Sequence, residues 1–197
     1  MEQLSTNPTD IYGPDFFRMH VPWRSEYERI GDALCELLDF HSVLDIGCGN
    51  AFILSRMLQK RKSVLGVDGS QHALAAAPKN LSKYLYIHDL SVPGQWGQFD
   101  LVLCTEVAEH MTAESSDVLV KTICDNSRRY VFFTAATPGQ GGRNHINEQP
   151  HDYWIAKFAD NKHYLNAELT GILRERLQGN IATIFWFTNN ALIFQMA

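Results

Sequence analysis

The chain has 197 residues, 45% hydrophobic and 20% charged, the profile of an ordinary water-soluble globular protein long enough to bury a core as a single domain. With 17 Lys and Arg against 22 Asp and Glu, its net charge of -5 excludes a general attraction to phosphate backbones, so nucleic acid is not expected as a partner. No apolar run is long enough to span a bilayer, and the polar stretch Met1 to Asp10 has no signal-peptide core, so no membrane association is expected. Cys35, Cys48, Cys104 and Cys124 contain no C-x-x-C pair and fit a reducing cytoplasm.

Residues 1–24 read as an irregular arm, interrupted by Pro8, Gly13, Pro14 and Pro22, yet apolar through Tyr12, Phe16, Phe17, Met19 and Trp23. The arm is either a lid over a ligand or a strap on the core. Ser25 and Glu28 have the spacing of a capping box, followed by a helical stripe of Ile30, Leu34, Leu37 and Leu38.

Val43-Leu44-Asp45-Ile46 then forms a short apolar run that breaks into Gly47-Cys48-Gly49-Asn50. Apolar residues of helical spacing follow at Ile53, Leu54, Met57 and Leu58. This is strand, tight turn, helix, the opening of a βαβ unit. The glycines permit positive φ and close approach of a ligand to the backbone, and the helix start offers a positive end to it. Ser63 to Val67 is the second strand, ending at Asp68, roughly twenty residues beyond the glycines, the separation of an acid that grips a ribose. Asp68 has a second reading as the cap of the next helix, Ser70 to Ala77, which Pro78 stops.

Tyr84 to His88 is the third strand, followed by Asp89 and Leu90. Phe99 to Cys104 is the fourth, running into Thr105-Glu106-Val107-Ala108-Glu109-His110-Met111. Thr112 caps a helix carrying Val118, Leu119 and Ile123, and Tyr130 to Thr134 is the fifth strand. A long Gly-rich loop, Ala135 to Pro150, precedes a helix with Trp154, Ile155 and Phe158. A loop of this length in a compact domain is characteristically functional or mobile. Asn166 caps a further helix, and Ile181 to Phe187 with Ala191 to Gln195 reads as a terminal antiparallel hairpin.

Asp45 and the Gly47-Cys48-Gly49 turn resemble the cofactor loop of the class I S-adenosylmethionine-dependent methyltransferases. A dinucleotide site would carry a third glycine where Phe52 stands. Phe99-Asp100-Leu101-Val102 followed by Glu106-Val107-Ala108-Glu109-His110 is a second resemblance to that family. His145 to Trp154 resembles a stretch of its small-molecule and glycan-biosynthesis branch. The resemblance implies a Rossmann-like, doubly wound α/β sheet of seven strands, parallel except the last, helices on both faces and the first strand central. The domain reading is an arm or lid at 1–24 and a core at 25–197.

It also implies S-adenosylmethionine as cofactor, with Asp45, Gly47, Cys48, Gly49, Asn50, Asp68, Gly69, Asp89, Leu90 and Glu106 around it. Asp89 would take the adenine amino group, Leu90 the ring, and Glu106 the amino-acid end. Methyl transfer to a hydroxyl needs a base, and His145 is the first choice over His110 and His151, because it lies in the polar loop where an acceptor would enter. The expected partner is a small hydroxylated acceptor, such as a sugar. Glu106, Glu109 and His110 share one face if the segment is helical, with His145 as a further ligand. That is a metal reading, but no metal ligand is assigned. An oxidoreductase, a non-catalytic cofactor-binding module and a metal-dependent RNA methyltransferase are the rival classes, and the oligomeric state is open.

Overall fold

The computed structural model describes residues 8–197. Seven strands form one sheet: β1 (Ser42–Ile46), β2 (Ser63–Asp68), β3 (Leu85–Ile87), β4 (Phe99–Thr105), β5 (Ser127–Thr134), β6 (His163–Leu165) and β7 (Leu192–Met196), in the order β3-β2-β1-β4-β5-β7-β6. β7 runs antiparallel to both its neighbours, and the pairings among β1 to β5 are parallel. The Rossmann-like sheet, parallel except for its last strand, is therefore the one expected. β1 lies inside it between β2 and β4, although the middle position belongs to β4.

Strand alternation sorts the core onto two faces. Val43, Leu101, Leu103 and Phe132 pack on one side. There they meet Ile30 and Leu34 of α3 (Arg24–Leu37), Leu54 and Met57 of α4 (Phe52–Gln59), and Leu173 and Leu177 of α8 (Ala167–Leu177). Leu44, Ile46, Val102, Cys104, Val131 and Phe133 face the other side. They pack on Leu119, Val120 and Ile123 of α6 (Ala113–Asn126) and on Trp154 and Phe158 of α7 (His151–Asp160). Both strand faces are covered, which is why these strands read as near-continuous apolar runs. Trp154 and Phe158 are fully buried, as core residues. The sheet winds outward from β1 through β2 to β3 and back from β4, so the switch point lies between β1 and β4, where such folds bind ligands at the strand ends. Among the described residues no helix is long and apolar enough to cross a membrane.

Three local expectations are corrected. The arm is not irregular: its described part folds as α1 (Pro8–Ile11), α2 (Pro14–His20) and a 3₁₀ turn at Val21–Trp23, with Pro14 in the first turn of α2, where a missing N–H does no harm. Residues 1–7 lie outside the described range. The capping box at Ser25 and Glu28 does not form, because α3 begins at Arg24 in continuity with that turn, with no side-chain cap. Glu28 instead pairs with Arg24 at 2.7 Å.

Ile181 to Phe187 is not a strand. Its burial repeats every three residues, at Ile181, Ile184, Phe187 and Asn190, and the segment coils into α9 (Trp186–Asn190). The buried Glu26 carboxylate accepts from the N–H groups of Thr183 (3.0 Å) and Ile184 (3.0 Å), supplying the partners a neighbouring strand would have given. β6, a three-residue strand that sequence periodicity is too short to show, takes the outer place beside β7.

Candidate functional site

The glycine turn sits at the carboxyl end of β1. Gly47 (φ 79°) and Gly49 (φ 51°) are both left-handed. A Cβ on Gly47 would lie 2.3 Å from Val107 Cγ2, so this glycine lets the turn after β4 close against the turn after β1. A Cβ on Gly49 would meet nothing within 4 Å: that backbone faces open space. Cys48 points its buried thiol into the core toward Gly66, and burial pushes its pKa well up, so only its backbone lines the turn.

Asp45 is 2% exposed, and its Oδ1 has no partner among the described residues. Burial first, then the neighbouring Asp68, raises its pKa to about 8. Asp68, at the end of β2, accepts from Gly49 N–H through Oδ2 and from Ser70 N–H through Oδ1, both at 2.8 Å. It thus braces the glycine turn and the start of α5 (Gln71–Ala76) together, and each oxygen keeps a second lone pair. Ser70, not Asp68, is the N-cap of α5. Gly69 lies between these two. Asp89, exposed beyond β3, uses Oδ1 to accept from Ser91 N–H (2.9 Å) and Oγ–H (2.7 Å), and Leu90 packs on the core beside it. Asp68 and Ile87 are register partners, so the acids after β2 and β3 share one edge of the cleft.

The arm crosses this cleft. Asn50, buried, donates to Phe17 O (3.0 Å), Ser70 Oγ–H donates to Tyr12 O (3.0 Å), and the Tyr12 ring lies 5.4 Å from the His110 ring. It is a strap pinned to the loops after β1 and β2 that reaches the segment after β4.

Glu106 follows β4 with a left-handed backbone (φ 53°) that Thr134 holds by accepting its N–H. Its carboxylate accepts from Asn190 and Gln140, each at 3.1 Å. Glu106 is not helical: only Ala108–His110 forms a 3₁₀ turn, so the one-face arrangement of Glu106, Glu109 and His110 is not formed. Instead Glu109, His110 and His145 converge, with ligand atoms all within 4.8 Å of one another. Glu109 is fully buried, and neither of its carboxylate oxygens meets a well-aligned hydrogen-bond donor among the described residues. Burial first and Glu106 second push its pKa well up.

His145 stands 2.9 Å from Glu148 through Nδ1, and Glu148 is fixed by the N–H groups of Gly139 (2.8 Å) and Gly141 (2.7 Å). The His110 and His145 rings meet edge to face at 4.9 Å. With Nδ1–H donated to Glu148, Nε2 carries the ring's lone pair, on the edge that packs beside Gly142. His151 is not in this cluster; it opens α7 near Arg174, and burial first and that charge second lower its pKa. Sequence reasoning missed Glu148, Gln140, Asn190 and Tyr12. Only the three-residue spacing of His145 and Glu148 hinted at the first, and nothing marked the others.

Residues 43–128 match the family model described as a methyltransferase domain. Over that stretch the chain resembles the class I S-adenosylmethionine-dependent methyltransferases. The ubiquinone biosynthesis O-methyltransferase of Acinetobacter baumannii is 29% identical over 123 residues, 58% of this chain and 47% of that protein. The chain thus spans about half the length of the curated relatives it matches. The fold is that of the magnesium protoporphyrin IX methyltransferase of Synechocystis, solved with bound SAH (TM-score 0.65, 15% identity, 100% of this chain and 90% of that one). A sugar N-methyltransferase from a Streptoalloteichus species also shares it (TM-score 0.65, 15% identity, 83% and 92%). Methyltransferases of that family use S-adenosylmethionine as cofactor. The site suits it: a buried carboxyl with an unpartnered oxygen and an open glycine face fit a ligand that brings ammonium and hydroxyl donors.

Proposed function

We propose that the chain methylates a hydroxyl of a small acceptor, a sugar or glycan precursor, as a single domain in the reducing cytoplasm. Asp45, the turn Gly47-Cys48-Gly49-Asn50, Asp68, Gly69, Asp89, Leu90 and Glu106 hold the cofactor. Gly49 gives it backbone room, and Asp68 meets the ribose with the lone pairs that Gly49 and Ser70 leave free. Bound S-adenosylmethionine supplies a methyl group on a cationic sulfur, already electrophilic. The protein's tasks are then alignment and removal of the acceptor proton. His145 Nε2 takes that proton, and Glu148 holds the ring and stabilises the imidazolium that results. The observation that carries this reading is the Glu148–His145 pair, built into the loop after β5 beside Glu106.

The name of the Acinetobacter relative supports oxygen as the target, and the Streptoalloteichus structure supports a sugar-sized acceptor. The net charge of -5 and four free cysteines support a small partner and a reducing compartment. His145→Ala should bind S-adenosylmethionine with unchanged affinity in calorimetry and lose turnover. Tight NAD binding with no response to the methyl donor would overturn the reading in favour of an oxidoreductase.

The Glu109, His110 and His145 cluster favours a second reading, in which a divalent cation is held there and His145 is a ligand rather than a base. The buried Glu109 carboxylate, which meets no well-aligned donor among the described residues, is the observation behind it. Methylation that is insensitive to EDTA, in protein shown to bind no Zn²⁺ or Mn²⁺ by equilibrium dialysis, eliminates this reading.

A further inference from the structure

Tyr12 lies half-buried in the strap, between α1 and α2, and is held from two sides of the cleft. On the cofactor side its carbonyl accepts from Ser70 Oγ–H at 3.0 Å, and Ser70 N–H in turn donates to Asp68 Oδ1 at 2.8 Å. On the other side its ring stands edge to face with the His110 ring, centroids 5.4 Å apart, and the His110 ring meets the His145 ring in the same way at 4.9 Å. A carbonyl can only accept, so it is His110 Nδ1–H that donates to Asn144 O, at 3.2 Å. That bond fixes the residue just before His145, and the Asn144 amide faces the Tyr12 hydroxyl. Burial first raises the pKa of this hydroxyl to about 12, against the Asn144 amide, which acts to lower it, so the group stays neutral beside the imidazoles. Asn144 has a left-handed backbone (φ 58°), and the turn it makes into His145 is held by these neighbours.

Given the base role proposed for His145, we infer from this geometry that Tyr12 is a positioning residue for that base. Glu148 holds the imidazole through one hydrogen bond, which leaves the ring free to turn about it. The edge-to-face contact with His110 removes that freedom, and the Tyr12 ring backs His110 in its place. Tyr12 itself exchanges no proton with the acceptor. Because its carbonyl is latched to the loop of Asp68, the strap that crosses the cofactor cleft also completes the setting of the base.

The test reads the His145 Nδ1–H proton of the full chain by its exchange with water in NMR. In Tyr12→Ala this exchange should speed by about tenfold or more, because the ring leaves Glu148 more often. Tyr12→Phe keeps the ring against His110 and should stay within about threefold of the wild type. Equal speeding in both variants assigns the positioning to the hydroxyl and Asn144 rather than to the ring, and still supports the role of Tyr12. A residue that only stabilises the strap would lower the thermal midpoint and leave the exchange as it is, so exchange unchanged in Tyr12→Ala overturns the inference. Tyr12→Leu fills the space without a ring and decides the point in the same way if the alanine variant does not fold. The proton reports where the ring is held whether or not His145 acts as the base, and turnover retained in His145→Ala shows separately that the base role has failed.

Discussion

Glu148 Oε1 lies 2.9 Å from His145 Nδ1, and the same carboxylate is clamped by two glycine N–H groups of its own loop. The clamp makes the acid a fixed support rather than a passing surface partner. The His145 hydrogen bond, with the Gly139 and Gly141 N–H groups, holds the Glu148 carboxyl below its usual value against a smaller opposing effect of burial. Glu148→Gln should therefore lower kcat about 10²- to 10⁴-fold while cofactor affinity stays unchanged, the range of a general base that has lost its orientation. Combined with His145→Ala, the two losses should not add, because both remove one unit. Additive losses in steady-state kinetics would separate Glu148 from the base.

Gly142 packs against the edge of the His145 imidazole that carries Nε2. A Cβ there would lie 2.3 Å from His145 Nε2, on a backbone with φ 156° that L side chains rarely adopt. Gly142→Ala should abolish turnover while thermal unfolding shifts by only a few degrees, since the loop is exposed and carries little core.

Gly47 and Gly49 should fail in different ways. Alanine at Gly47 drives a methyl into Val107 and should destabilise the fold by about 1–3 kcal/mol, partly restored by Val107→Ala. Alanine at Gly49 meets only open space and should fold, at a left-handed strain of about 1 kcal/mol, yet lose cofactor affinity. Chemical denaturation and calorimetry on the same samples read both.

Asp45 predicts a pH signature of the cofactor-free protein. Its folded pKa of about 8 exceeds the ordinary 3.8, so between those values the folded state retains a proton that the unfolded chain has released. Stability should fall as pH rises through that window, this group contributing a slope of up to about 1.4 kcal/mol per unit, and should level off above it. In Asp45→Asn that part of the slope should vanish in urea denaturation across pH 4–9, and S-adenosylmethionine affinity should drop.

Glu26 ties α3 to the segment that leads into α9. Burial acts to raise its pKa, but the N–H groups of Ile184 and Thr183 overcome this and hold the carboxylate below its usual value. The stability it gives is thus present at neutral pH and is lost as pH falls into the carboxylate range. Glu26→Ala orphans two backbone donors and should cost about 1–3 kcal/mol in denaturant unfolding, with Trp186 fluorescence changing in the native baseline.

What the sequence made legible were elements whose signal is local. The β1 run, its glycine turn, Asp68 at the end of β2, the Thr112 and Asn166 caps and the buried Trp154 and Phe158 all depend on residues within a few positions of one another. The errors lie where a distant residue decides. Ile181 to Phe187 is aromatic and β-branched enough to read as a strand, but Glu26, 157 positions earlier in sequence than Thr183, satisfies its backbone and lets it coil. Ser25 has the letters of a cap, yet the preceding turn already runs into α3. Spacing puts Glu106 and Glu109 on one helical face, and the left-handed backbone at Glu106 parts them. Glu148 left no periodic trace, because a loop acid acquires its role only when the loop folds back on His145.

The most direct test of the account is a crystal structure of the chain with S-adenosylhomocysteine. The nucleoside should lie against the Gly49 backbone, the ribose hydroxyls within hydrogen-bond distance of Asp68, and the sulfur on the side of the cleft that faces His145. A cofactor bound elsewhere, or with Asp68 turned away from its ribose, would contradict it.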